Sequence, residues 1–186
     1  MTKYSILLLM LLASLSISVY SQILTVYDRW HKTDQLIRDR KIDEGDAEDS
    51  IALYVKLAKD DFRTRDITPT KRADWVFPMS GWTSVSYRSG GKDYKDARFD
   101  YFQGGEFKDH PANDIFILDK DSNTFEDSTG AKVYAAAMVT GVVISKYSAW
   151  FRQDYLRSGN YVKLFDPESE AIFYYSHLDT VFVEPG

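Results

Sequence analysis

The feature that most constrains this chain is a change of rhythm at "TPTKRADWVFPMSGW", residues 68–82. Before it, apolar residues recur at helical spacing: Leu24, Tyr27 and Trp30, then Ile51, Tyr54, Val55, Leu57 and Ala58. Between these two stripes "RKIDEGDAEDS" is a polar break containing Gly45, so two helices joined by a turn are expected from about Ile23 to Arg65. Pro69, Pro78 and Gly81 then stop any helix. "WVF" and "TSVSYR" read as strands, and "RSGGKDYKDARFDYFQGGEFKDH" as a long polar loop. After it come "DIFIL", "KVYAAAM", "GVVISKY", "YVKLF" and "AIFYYSHL", short apolar runs separated by Gly, Asn, Asp or Pro. That is the rhythm of an antiparallel sheet. The expected class is therefore α+β, with a helical segment over residues 22–66 and a mainly antiparallel β-domain over 67–186.

Ahead of both lies "MTKYSILLLMLLASLSISVYSQ". Lys3 gives a positive start, "ILLLMLL" an apolar centre, and Val19 and Ser21 small residues before a cut at Gln22. Residues 1–21 thus read as a secretory signal peptide. Ser14, Ser16 and Ser18 break the apolar run, which is short for a span of ~30 Å of hydrocarbon. The expectation is export to the periplasm, cell envelope or medium, with no membrane span after the leader is removed.

Composition narrows the rest. Roughly 165 residues would remain, enough for one good core. The chain has no cysteine, so an exported form must be held by its core, by a metal, or by both; thiol catalysis is excluded. The formal net charge is −5 and no basic stripe is present, which argues against a nucleic-acid partner. Aromatic residues make up 15 % of the chain, with 13 Tyr and 11 Phe, and favour β structure. No Ser-hydrolase elbow, P-loop, dinucleotide fingerprint or H-E-x-x-H motif occurs.

Only three histidines are available: His31, His110 and His177. His31 falls in the first helical stripe and reads as a solvated helix residue. In "FKDHPANDIFILDKD", His110 and Asp114 sit four apart, with Pro111 fixing a turn into an apolar run. A loop entering a strand can aim both at one divalent ion, since zinc takes imidazole nitrogen and carboxylate oxygen; the same residues also make an ordinary capped turn. Strand alternation puts Asp114 with Phe116 and Leu118, and a carboxylate among apolar side chains needs a partner. His177, near the end of "AIFYYSHL", aligns by alternation with Phe173 and Tyr175. It reads either as a half-buried strand histidine or as an acid/base imidazole.

Two further stretches carry weaker signals. "DKDSNTFEDSTG", Asp119 to Gly130, has oxygen ligands at positions 1, 3, 5 and 9 of a calcium loop but lacks its Gly at 6 and Glu at 12, and fits a polar hairpin loop better. Tyr87, Tyr94, Tyr101 and Phe102 either line a groove or pack over the core. "DRWHKTDQLIRDRKID" is amphipathic with mixed charge, which fits packing on the β-domain or on a partner helix better than a membrane surface.

"DHPANDIFI", "DSTGAKVYAA", "TGVV", "GNYVKLF" and "YYSHL" follow one another in an order that resembles the lysostaphin-like (LytM-type) zinc metallopeptidases, which cut peptide cross-links of bacterial cell walls. The resemblance runs from about Trp75 to Gly186. It implies a small antiparallel β-domain with a groove, a bound Zn2+, and peptidoglycan peptide stems or cross-links as substrate. It also implies that His110 and Asp114 are the first two zinc ligands and that His177, in Y-x-H-L, is the catalytic histidine. The family's third ligand lies in a later H-x-H motif, and no histidine follows His177. The expectation is therefore a chain truncated before that motif, weak or inactive as it stands, or else a degenerate wall-binding module of the same fold.

Overall fold

In the computed structural model, the residues described are 24–81, 100–103, 115, 133–152, 156 and 158–186. His110, Asp114, Tyr87, Tyr94, the predicted strand "TSVSYR" and the stretch Asp119–Asp127 lie outside them, as do the whole signal-like leader and all of "DIFIL" but Ile115.

Two helices open the described chain. α1, Val26–Arg38, begins with a reciprocal cap: Thr25 Oγ1 accepts from the Asp28 backbone, and the Asp28 carboxylate accepts from the Thr25 backbone. Such a cap contributes about 1 kcal/mol. Its apolar stripe buries Tyr27, Trp30 and Ile37. α2, Glu44–Thr64, is capped by Asp43 through the Gly45 amide. The break between the helices is therefore shorter than the polar run implies. "EGDAEDS" is the start of α2, where Glu44 and Asp46 favour the positive end of the helix dipole.

Both helices stop in the same way. Lys41 N–H bonds Leu36 O and Arg40 N–H bonds Ile37 O, with Arg40 at φ 53; Ile67 N–H bonds Phe62 O and Asp66 N–H bonds Arg63 O, with Asp66 also at φ 53. Each is a Schellman ending with a left-handed residue where glycine is usual. Among the described residues no helix is long and apolar enough to cross a membrane.

The sheet has three antiparallel strands in the order β1-β2-β3: Val142–Tyr147, Asn160–Asp166 and Ala171–Leu178. They coincide closely with "GVVISKY", "YVKLF" and "AIFYYSHL". β2 and β3 form a hairpin whose turn is fixed by the buried Asp166, which accepts from the backbone amides of Glu168 and Ser169 and from the Ser169 hydroxyl. Of the other predicted strands, "WVF" and "KVYAAAM" are weaker. Residues 76–80 run antiparallel to 134–138 through Val76–Met138, Pro78–Ala136 and Ser80–Tyr134 bonds, yet only Met79 and Ala135 form a bridge. Pro78 has no N–H to give, which is why "WVF" and "KVYAAAM" do not become a regular ladder.

The core lies between helices and sheet: Tyr27, Trp30, Ala58, Phe62, Val142, Ile144 and Phe165. α1 meets β2 in matched steps. The Trp30 ring sits 5.0 Å from that of Phe165, Asp34 pairs with Lys163, and the Arg38 guanidinium lies 3.5 Å from the Tyr161 hydroxyl. Four helix residues rise about 6 Å and two strand residues about 6.6 Å, so every helical turn finds the next inward strand residue. The other face of the sheet carries Phe173, edge-on to Trp75 at 5.2 Å, and Tyr175, whose hydroxyl accepts from Met138 N–H.

Candidate functional site

His177 ends β3 at an irregularity. Val162 pairs with Tyr175 and Asn160 with Leu178, so two residues of β3, Ser176 and His177, oppose Tyr161 alone. The extra residue is a β-bulge, and His177 takes it up at φ 57, the left-handed region. That breaks the alternation expected from the sequence: His177 does not continue the Phe173–Tyr175 row, and it is exposed rather than half-buried. Its backbone N–H donates to Ser158 O at 2.8 Å. A left-handed conformation costs an L-residue about 1–2 kcal/mol, and glycine would avoid it. Bulges of this kind re-aim side chains and occur beside active sites more often than elsewhere.

The residues around it explain how the geometry is held. Gly159, itself at φ +65, faces His177 closely enough that a Cβ there would lie 3.4 Å from His177 Cα and 3.7 Å from Nδ1. Asn160 is almost fully buried and uses both ends of its amide: Oδ1 accepts from Trp150 N–H and Nδ2 donates to Asp179 O, each at 3.0 Å. The Trp150 indole N–H is in turn tied to Leu156 O at 2.8 Å.

A second polar cluster, announced by no local pattern, lies under α1. Asp34 is wholly buried, and its Oδ1 accepts from the Tyr101 hydroxyl at 2.6 Å and from Lys163 Nζ at 2.5 Å. The Lys163 ammonium also lies over the rings of Tyr101, Tyr161 and Tyr174, at 4.9, 5.5 and 5.3 Å. Burial pushes the Asp34 carboxyl up, but the Lys163 charge and the bonds from Lys163, Tyr101 and Ser145 outweigh it and hold the group below the usual carboxylate range. Burial, then Asp34, drives the Tyr101 phenol well above its ordinary value. Asp34 Oδ2 is buried without a hydrogen-bond partner among the described residues, but the charge itself is paired, and a buried carboxylate and ammonium paired in this way act as a joint between helix and strand. Of the two uses open to Tyr101, packing over the core is the one observed.

His31 departs from its expected role. It is half-buried against β1, with Nδ1 at 3.1 Å from the Ser145 hydroxyl and Nε2 at 3.1 Å from Gln35 Nε2. The Gln35 amide nitrogen reaches Nε2, and the Lys146 backbone N–H reaches Nδ1 at 3.5 Å, so both ring nitrogens are held by the protein. Burial lowers the His31 pKa; Asp34 and Asp28 oppose that shift, whereas Arg38 and Lys146 add to it. Ser145 has no exposed surface, so the pair is not an accessible nucleophile and base.

No group of three His, Cys, Asp or Glu side chains that could hold a metal ion occurs among the described residues. Of the three residues singled out in the sequence, His177 alone is described. Set against known proteins, the chain matches no family model, no curated protein and no solved structure.

Proposed function

We propose that this chain is an exported zinc metalloendopeptidase of the lysostaphin-like kind, acting on peptide bonds of peptidoglycan cross-links. His110 and Asp114 are its metal ligands and His177 its catalytic imidazole. The observation that carries the reading is His177 itself: an exposed imidazole, at the end of a "YYSHL" strand, kept in a costly left-handed bulge where glycine would sit without strain.

The donor set suits the metal, since a neutral imidazole and a carboxylate are ordinary zinc ligands. When bound, zinc polarises a carbonyl and lowers the pKa of its water to ~7. The chain's own residues do the rest. His110 and Asp114 would hold the ion. His177, reaching the scissile carbonyl from the bulge, donates a hydrogen bond to the developing oxyanion or moves a proton to the leaving amine. No glutamate base of the H-E-x-x-H type is required, in keeping with its absence from the sequence.

The test is zinc content by mass spectrometry of the purified chain, beside His110→Ala, Asp114→Ala and His177→Ala. Loss of zinc in the first two and retention in the third is the expected pattern. Equal zinc in all four would remove the ligand assignment. A second reading of the same residues is a wall-binding module of the same fold that does not cut. It predicts sedimentation with peptidoglycan sacculi, unaffected by chelator, and no release of new amino termini.

A further inference from the structure

We infer that Asn160 is a positioning residue for His177, acting through the backbone rather than on any ligand; its catalytic meaning rests on the function proposed above. A left-handed histidine persists only where its surroundings over-determine it. Two restraints meet there. The Ser158 carbonyl holds the His177 N–H, and the Asn160 amide closes the loop by gripping Asp179 O, two residues beyond His177. Asn160 also pairs across the ladder with Leu178, so its backbone and side chain bracket the bulge from the same position.

The amide's chemistry makes the grip specific. Asn160 presents an acceptor to Trp150 N–H and a donor to Asp179 O at once, from a nearly buried site. A carboxylate of the same shape keeps the first bond and loses the second, because it has no proton to give. Asn160→Asp therefore releases Asp179 while leaving the Trp150 loop held; Asn160→Ala releases both. Letting go of Asp179 removes the reason for the extra residue of β3 to stay left-handed, and His177 relaxes toward extended backbone.

The experiment uses the full chain, labelled with 15N and 13C. In Asn160→Asp and Asn160→Ala alike, the His177 HN–Hα coupling should move from its left-handed value toward the extended range, and the ring resonances should shift. With zinc loaded, kcat for a cross-link peptide should fall by about 10²-fold, the loss expected of a misplaced group, with KM and zinc content little changed. Unchanged His177 coupling and ring resonances in folded Asn160→Asp, with only the melting temperature lowered, would overturn the inference. Should neither variant fold, the unaltered chain decides: the Asn160 side-chain amide protons must exchange slowly with solvent, and fast exchange refutes the grip. If wild type neither binds zinc nor cuts, the proposed function fails on its own, and the coupling measurement still settles whether Asn160 holds His177.

Discussion

The middle of β2 and its first residues face opposite problems. At Lys163 the strand meets α1, and the charges are paired: Asp34 Oδ1 receives two charge-assisted bonds, three tyrosine rings cover the ammonium, and only Asp34 Oδ2 is buried without a partner in this cluster. At Asn160 the same strand meets the bulge, and the group that matters, His177, is left exposed in a strained backbone. Three residues apart, one site spends its interactions on stability and the other on holding a side chain available. A rigid seam is what makes a strained neighbour tolerable, since strain at one point must be balanced by contacts elsewhere.

The largest effect should come from breaking the seam. Lys163→Met leaves Asp34 buried without its counter-charge, which costs about 3–5 kcal/mol. Urea denaturation should read this as a fall in midpoint with little change in slope. Pairing it with Asp34→Leu should recover most of the loss, because apolar replacement of a whole buried pair is often neutral or better. If Lys163→Met costs under about 1 kcal/mol, the seam is not what anchors the helices to the sheet. Tyr101→Phe removes one bond to the same charged oxygen and should cost about 1.5–3 kcal/mol by the same measurement.

Much of this was legible, and the failures are instructive. Helix and strand positions followed from apolar periodicity because that signal is local. The Asp34–Lys163 pair was not legible: the partners are 129 residues apart, and a lone Asp on a helix and a lone Lys on a strand each look solvated. His31 was misread for the same reason, since nothing local announces that Ser145 will face it. His177 was singled out by its motif, but alternation placed its side chain wrongly because one inserted residue resets a period of two. The candidate ligands His110 and Asp114 rest on sequence order alone.

A pH series sharpens the contrast without touching the seam's packing. The folded-state pKa of His31 is depressed, so the fold favours the neutral ring. The stability this gives is present above the unfolded value of about 6.5 and is lost as pH falls below it. Asp34 is also depressed; its contribution is present above about 3.9 and disappears only as pH falls further, through the folded value. Denaturation midpoints should therefore decline in two stages on acidification, and His31→Gln should flatten the first stage while leaving the second.

The smallest effect bears most directly on function. Arg40, Asp66 and His177 all sit at positive φ, at 53, 53 and 57. At the first two the left-handed residue merely ends a helix, so Arg40→Gly and Asp66→Gly should each gain about 0.5–1 kcal/mol, net of the extra chain entropy of glycine. His177→Gly should gain a similar amount by the same relief of strain. The three substitutions ought to be alike in the calorimeter and, under the proposed function, unlike in an assay: the helix-end glycines keep whatever hydrolysis the wild type shows, and His177→Gly abolishes it with zinc content unchanged. A His177→Gly variant that is no more stable than wild type, while the other two are, would mean the ring makes stabilising contacts of its own. The strain at the bulge would then be offset locally, and the comparison between a rigid seam and a strained, available side chain would lose its basis.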